Sequence, residues 1–84
     1  MKIIDYIADH RLEAIFRGHT IVVEKEPEHK YYGNWYMYVT DCGGHVCCDG
    51  WIDDSSSIGI RNAFNQACDG ALIKPPKRWS AAIT

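Results

Sequence analysis

The feature that most constrains the fold of this chain is the Gly43-Gly44 pair, which lies in the middle of the segment Asn34–Ile52. Gly-Gly is a preferred pair for a two-residue primed turn, because both central positions can require a positive φ. The residues on either side are rich in aromatic and β-branched side chains, as is typical of strands. We therefore predict a β-hairpin in which Val39 lies opposite Cys48 and Tyr36 lies opposite Trp51. A longer loop over residues 41–44 would keep the same parity, so each side chain would stay on the same face.

Side chains alternate between the two sides of a strand, so the predicted hairpin has two distinct faces. Face one carries mainly apolar side chains: Trp35, Met37, Val39, Val46, Cys48 and Ile52. Face two carries aromatic and polar side chains together: Tyr36, Tyr38, Thr40, Cys42, His45, Cys47, Asp49 and Trp51. We expect face one to be part of the core, and face two to be where function is found.

The length and composition indicate a single small domain over residues 1–84. Hydrophobic residues make up 46% of the 84 residues and aromatic residues 12%, which excludes a disordered chain. No apolar run approaches the roughly 18 residues that a membrane helix needs, and Asp5 and Asp9 interrupt the apolar stretch that a signal peptide would require. We expect a cytoplasmic protein without a membrane partner, whose four cysteines are free and buried thiols.

The segments on either side of the hairpin complete the predicted fold. Residues 2–16 fit a helix with one apolar stripe, although the helix could stop near Asp9 and leave Leu12 onward to start a strand. A strand is predicted over His19–Glu26. Capping side chains at residues 53–57 precede an amphipathic helix from about Ser56 to Cys68, and Gly70 is a natural residue to end it.

The predicted fold class is therefore α+β, in the order α-β-β-β-α. It is a three-stranded antiparallel meander with the C-terminal helix packed on face one. Residues 74–84 are predicted to form an extended tail after Pro75-Pro76, carrying Trp79.

A metal site and an enzyme active site are both disfavoured. Cys42, His45 and Cys47 lie on one side near the turn, but a tetrahedral zinc site needs four ligands and no C-x2-C pair supplies the fourth. Asp49 lies close to Cys47 and opposes formation of a reactive thiolate. The chain has neither a glycine-rich phosphate loop nor a G-x-S-x-G motif. We predict a non-enzymatic protein with no cofactor and no bound metal, and interpret the three residues as two thiols and a turn histidine.

Nucleic-acid binding is an alternative. The predicted order of elements resembles that of double-stranded RNA-binding domains, a family that grips phosphates with a Lys-Lys-x-Ala-Lys run at the start of its second helix. The matching stretch here, SSSIGIRNAF, has Arg61 as its one cation. Tyr36, Tyr38 and Trp51 could stack on single-stranded bases, but Asp49 and Asp53 would repel the phosphate backbone. The net charge of −2 gives no support to a polyanionic partner either.

Recognition of another protein is the favoured interpretation of face two. Tyrosine and tryptophan are enriched at interfaces because each has a large apolar body and a polar group. The predicted partner-binding residues are Tyr31, Tyr32, Tyr36, Tyr38, Asp49, Trp51 and Asp53. Two alternatives remain open: the N-terminal helix or the Trp79 tail covers face two and makes it core, or a homodimer buries it.

The segment GNWYMYVTDCGGHVCCDGWIDDSSSIGIRNAFNQA, residues 33–67, resembles small phage and prophage accessory proteins. In those proteins an aromatic strand, a tight turn, a second strand ending in Gly-Trp and an alanine-rich helix follow one another. The segment is also similar in outline to HicB-like antitoxin domains, although their usual Pro-Gly-Cys turn is absent. The resemblance implies a small cytoplasmic protein that binds and modulates a host protein, as anti-CRISPR proteins do.

Overall fold

The computed structural model of the protein describes residues 1–25, 33–79 and 83. Within these ranges it contains five strands and one helix: β1 (Lys2–Ile7), β2 (Arg11–Phe16), β3 (His19–Lys25), β4 (Trp35–Asp41), β5 (Val46–Trp51) and α1 (Ile60–Gly70). The strands lie in chain order in a single antiparallel sheet. The protein is therefore a mostly β meander, and the predicted α-β-β-β-α order with three strands is wrong.

The N-terminal segment forms the hairpin β1–β2 instead of the helix predicted over residues 2–16. Leu12 and Ala14 in β2 are fully buried at alternating positions, which is the period of a strand. In β1 the register shifts between Ile3 and Asp5, which leaves Ile4 as a bulge. This bulge and the turn at residues 8–10 space the apolar residues three or four apart, which imitates a helix. The strand considered from Leu12 onward is present as β2, but no helix precedes it.

The β4–β5 hairpin is present, with Tyr36 opposite Trp51 and Val39 opposite Cys48. Its turn differs from the predicted two-residue turn. The Asp41 amide donates to the His45 carbonyl over 2.9 Å, and the Gly44 amide donates to the Asp41 carbonyl over 3.0 Å. Gly44 has a φ of 82°. This arrangement is a three-residue loop in which a glycine in the left-handed conformation completes the turn.

A bulge in β5 then restores the predicted pairing. Thr40 pairs with Val46, whereas Val39 pairs with Cys48, so Cys47 is the extra residue. Val46 consequently lies beside Thr40 on face two and is 53% exposed. Its predicted place on face one is wrong, because the turn shifts the register by one residue before the bulge reverses the shift.

Face one is covered by α1, as predicted for the C-terminal helix. α1 packs across β2, β3 and β4, and its buried residues are Ile60, Ala63, Phe64, Ala67 and Cys68. The buried strand residues beneath it are Leu12, Ala14, Ile21, Val23, Trp35 and Val39. The described part of the chain contains no helix with the length and apolar character that a membrane crossing requires.

α1 begins later than the predicted Ser56, because the polar residues before it have other contacts. The Ser55 hydroxyl is fully buried, accepts a hydrogen bond from the Trp35 amide over 2.8 Å and donates to the Ile52 carbonyl over 2.5 Å. The N-cap is Gly59, and no side chain caps the helix. Ser55 therefore joins the start of β4 to the segment after β5 instead of capping α1.

Two described residues of the C-terminal segment, which was predicted as an extended tail, contact the helix. The Trp79 ring packs edge-on against Phe64, with 5.3 Å between the ring centroids. Ile83 is fully buried, and the Arg61 Nε atom donates to its carbonyl over 2.8 Å. Trp79 and Ile83 are thus associated with the helix, and Trp79 does not cover face two.

Candidate protein interface

The described side chains of face two are exposed or half-buried across the sheet, because α1 packs on face one. The strand register arranges its side chains in three rows that cross all five strands. The first row is Ile7, Arg11, Glu24, Tyr36 and Trp51; the second is Asp5, Glu13, Val22, Tyr38 and Asp49; the third is Lys2, Ile15, Thr20, Thr40 and Val46. Two parts of face two are distinguished below. The aromatic part, on β4–β5, is Tyr36, Tyr38 and Trp51, and the charged part, on β1–β3, is Asp5, Arg11, Glu13 and Glu24.

The aromatic part, with Asp49 beside it, brings together four of the predicted partner-binding residues. The rings of Tyr36 and Trp51 meet edge to face, with 5.1 Å between centroids and an interplanar angle of 76°. Tyr38 and Trp51 are each 39% exposed, whereas Tyr36 is half-buried. The Tyr36 hydroxyl donates to the carboxylate of Asp49, the residue opposite Tyr38. These contacts fix the positions of Tyr36 and Asp49 and leave much of the Tyr38 ring open to solvent.

The charged part is centred on Arg11. Its guanidinium lies 2.7 Å from Asp5 Oδ2, 2.9 Å from Glu13 Oε1 and 3.6 Å from Glu24 Oε2. The hydrogen bond to Glu13, followed by that to Asp5, raises the pKa of Arg11 further above its ordinary value, although burial opposes the shift. Three carboxylates around one guanidinium leave this part of face two net negative.

Carboxylates therefore lie on both sides of the aromatic part. Glu24 on β3 is the cross-strand neighbour of Tyr36, and Asp49 on β5 is the cross-strand neighbour of Tyr38. Directly opposed residues in a sheet have Cβ atoms about 5 Å apart, so these groups are within reach of one ligand.

Sequence reasoning did not assign the residues of the Arg11 cluster to the site. Asp5, Arg11 and Glu13 fall in the segment that was predicted to be a helix, where they would not share a sheet with Tyr36. The alternation of Arg11 and Glu13 with the buried residues Leu12 and Ala14 was the signal that could have placed them on face two.

The remaining predicted partner-binding residues are not part of this cluster. Asp53 is exposed just beyond the end of β5. Tyr31 and Tyr32 lie outside the described residues, so their predicted role remains a prediction.

The residues weighed as zinc ligands do not assemble into a site. Cys42 and Cys47 are exposed free thiols. The His45 side chain is 84% exposed, with Nδ1 3.4 Å from Asp41 Oδ1. In the described ranges, no three histidine, cysteine, aspartate or glutamate side chains converge in a way that could hold a metal ion.

All four cysteines were predicted to be buried thiols, and Cys68 is the one that is fully buried. Burial, with a smaller contribution from Asp69, raises the pKa of Cys68 to about 11. A thiol with this pKa is protonated at neutral pH and is a poor nucleophile. Cys48 is half-buried on face one, with its sulfur 3.6 Å from Met37 Sδ. The exposed Cys42 and Cys47 are where that expectation is wrong.

Comparisons of the chain with protein-family models, with curated proteins and with solved structures find no match. Function is therefore inferred from the geometry of face two, and the resemblance to phage accessory proteins stays a prediction.

Proposed function

We propose that the protein is a non-enzymatic binding module that docks another protein on face two. The observation that supports this most is the exposure of Tyr38 and Trp51, each 39% exposed, in the part of the sheet that lies opposite the helix-covered core. Removing apolar surface from water is favourable by about 25 cal/mol per Å². Tyrosine and tryptophan are also the residue types that contribute most to binding at interfaces.

The rest of face two adds to this support. Ile7, Ile15 and Val46 are exposed apolar residues between 42% and 53% accessible, so apolar side chains occur on face two from β1 to β5. Each adds apolar area that a docked partner can remove from water. The cytoplasmic location and the modulation of a host protein, both implied by the phage-protein resemblance, belong to this proposal.

Site-specific photo-crosslinking in the cell of origin tests it. A photoreactive phenylalanine analogue in place of Tyr38 should give a covalent product with a second, different protein. The same analogue in place of Leu72, which is 95% exposed on the helix side of the molecule, is the control and should not give that product. Identical products from both positions, or none from position 38, would contradict the proposal.

The same experiment separates the alternatives. A product of twice the protein's mass would identify the homodimer, and a nuclease-sensitive product would identify a nucleic acid. Once the partner is purified, Trp51→Ala should weaken its binding by about 30-fold or more, the effect of an interface hot spot. The variant should remain folded, since Trp51 lies outside the core formed under α1, although the edge-to-face contact with Tyr36 is lost.

A further inference from the structure

We propose that the surface docked on face two is cationic: a protein segment whose arginine or lysine side chains lie over Tyr38, between the carboxylates of Glu24 and Asp49. This inference rests on the proposed function, because it specifies the chemistry of the partner for the same face. It follows from the balance of charge on face two, from the exposed Tyr38 ring and from a carboxylate oxygen of Asp49 that accepts no hydrogen bond from the described residues.

The charges on face two do not cancel. Its acidic residues among those described are Asp5, Glu13, Glu24 and Asp49, and its basic residues are Lys2 and Arg11. Arg11 is already engaged by three carboxylates. Lys2 lies in the third row at the β1 edge of the sheet, on the far side from Asp49. The aromatic part therefore faces solvent in a negative field that attracts cations and repels anions.

Three rings in the described part of the chain have a cation over them, and the Tyr38 ring is not one of them. Arg17 lies 4.8 Å from the centroid of Phe16, Lys25 lies 5.7 Å from that of Trp35, and Arg61 lies 5.7 Å from that of Trp79. Among the described residues, no lysine or arginine is similarly placed over Tyr38. A cation from a partner can take that place, because an aromatic face attracts a cation within about 6 Å of its centroid.

Asp49 is positioned to bind the same cation. One carboxylate oxygen, Oδ1, accepts the Tyr36 hydroxyl, which holds the group in place opposite Tyr38. The other oxygen accepts no hydrogen bond from the described residues, although a carboxylate has acceptor sites on both oxygens. A guanidinium that stacks on Tyr38 can donate to this oxygen, and charge-assisted hydrogen bonds are stronger than neutral ones.

The same charges disfavour the other occupants of face two. A phosphate backbone would approach Glu24 and Asp49, and the described cation nearest to them in the sheet, Arg11, is already engaged by three carboxylates. A second copy of the chain would bring two net negative faces together, which costs free energy at an interface.

Titrations of the isotope-labelled protein with three synthetic peptides test this inference. The peptides have about nine residues, long enough to cross the sheet as a strand, and alternate threonine with arginine, glutamine or glutamate. The arginine peptide should shift the amide resonances of Tyr38, Asp49 and Trp51 and bind about tenfold more tightly than the glutamine peptide. Its binding should weaken when salt is raised from about 50 to about 300 mM.

Two double variants complete the test, and each removes two negative charges. Glu24→Gln/Asp49→Asn should abolish the preference for arginine over glutamine. Asp54→Asn/Asp69→Asn removes two exposed carboxylates outside face two and should leave the preference unchanged. Equal binding of the arginine and glutamine peptides, or equal effects of the two double variants, would overturn the inference. If the Tyr38 crosslink still forms in that case, face two binds proteins but does not select cations.

Discussion

Leu72 adopts a backbone conformation that leucine rarely takes. Its φ is 59°, in the left-handed region, and its side chain is 95% exposed. It ends α1 as the left-handed residue of a Schellman motif. The Ile73 amide donates to the Cys68 carbonyl over 2.8 Å and the Leu72 amide donates to the Asp69 carbonyl over 3.1 Å. Glycine is the usual residue at this position because a Cβ atom is disfavoured there.

Replacing Leu72 with glycine should therefore stabilise the protein. Left-handed backbone costs roughly 1–2 kcal/mol for a residue with a Cβ, and the greater freedom of glycine in the unfolded chain offsets part of the gain. We expect Leu72→Gly to raise the free energy of unfolding by about 0.5–1 kcal/mol, measured by urea denaturation. Leu72→Ala keeps the Cβ and serves as the control, which should gain less. A glycine variant no more stable than the alanine variant would contradict this account.

Gly70, the residue predicted to end the helix, is needed for a different reason. It is the last residue of α1, and a Cβ atom added there would lie 2.8 Å from the sulfur of Cys48. The absence of a side chain allows the end of the helix to approach β5 closely.

Gly70→Ala should therefore destabilise the protein even though alanine is the better helix former. Overpacking costs about 1–3 kcal/mol, against a propensity gain of about 1 kcal/mol. In a Cys48→Ala background the sulfur is absent, and the same substitution should become neutral or stabilising. Denaturation of the four proteins of this double-mutant cycle measures the coupling. Additive effects would show that Cys48 does not limit the space at Gly70.

The β4–β5 turn depends on the Asp41 carboxylate. Asp41 Oδ1 accepts hydrogen bonds from the Gly43 and His45 amides, each over 2.9 Å. The His45 amide, followed by that of Gly43, lowers the pKa of Asp41 below its ordinary value of 3.8, although desolvation opposes the shift. Because the folded pKa lies below the unfolded one, ionised Asp41 stabilises the hairpin above pH 3.8, and this contribution is lost as the pH falls through the folded pKa.

Asp41→Asn should consequently be less stable than the wild type at neutral pH and should approach it in strong acid. Thermal denaturation of both proteins from about pH 6 to below about pH 3 measures the difference across the titration. Asp53→Asn, at an exposed carboxylate beyond β5, should show no such convergence. A constant gap between wild type and Asp41→Asn at all pH values would show that the charge of Asp41 is not what stabilises the turn.

The elements could be predicted from the sequence where one local signal dominates. Gly43-Gly44 and the alternation around it predicted the β4–β5 pairing, and the apolar stripe from Ile60 to Ala67 predicted α1. The errors come from contacts that are distant in sequence or irregular in geometry. Ser55 is of a residue type that often caps helices, but its hydroxyl instead accepts a hydrogen bond from the Trp35 amide. The bulge at Ile4 changed the strand period of β1 into one typical of a helix.

At the scale of the molecule, the described residues form a five-stranded sheet with a helix on one face. The wrong prediction of a helix over residues 2–16 determined how much of the site could be predicted. The aromatic part of face two lies within one hairpin, so local alternation was sufficient to group Tyr36, Tyr38 and Trp51. The Arg11 cluster joins three strands and could not be assembled while residues 2–16 were interpreted as a helix. The position of Glu24 between Arg11 and Tyr36 is therefore known only from the complete sheet register.

Docking on face two requires a sheet whose faces differ in solvent exposure, and a soluble gadolinium chelate tests this directly. The measurement is the broadening of aromatic ring-proton resonances in the isolated monomer. Trp35 on face one is 1% exposed, and Tyr38 and Trp51 on face two are each 39% exposed. We predict strong broadening for Tyr38 and Trp51 and little for Trp35. Equal protection of all three rings would show that face two is covered within the monomer, and would contradict its role as a binding surface.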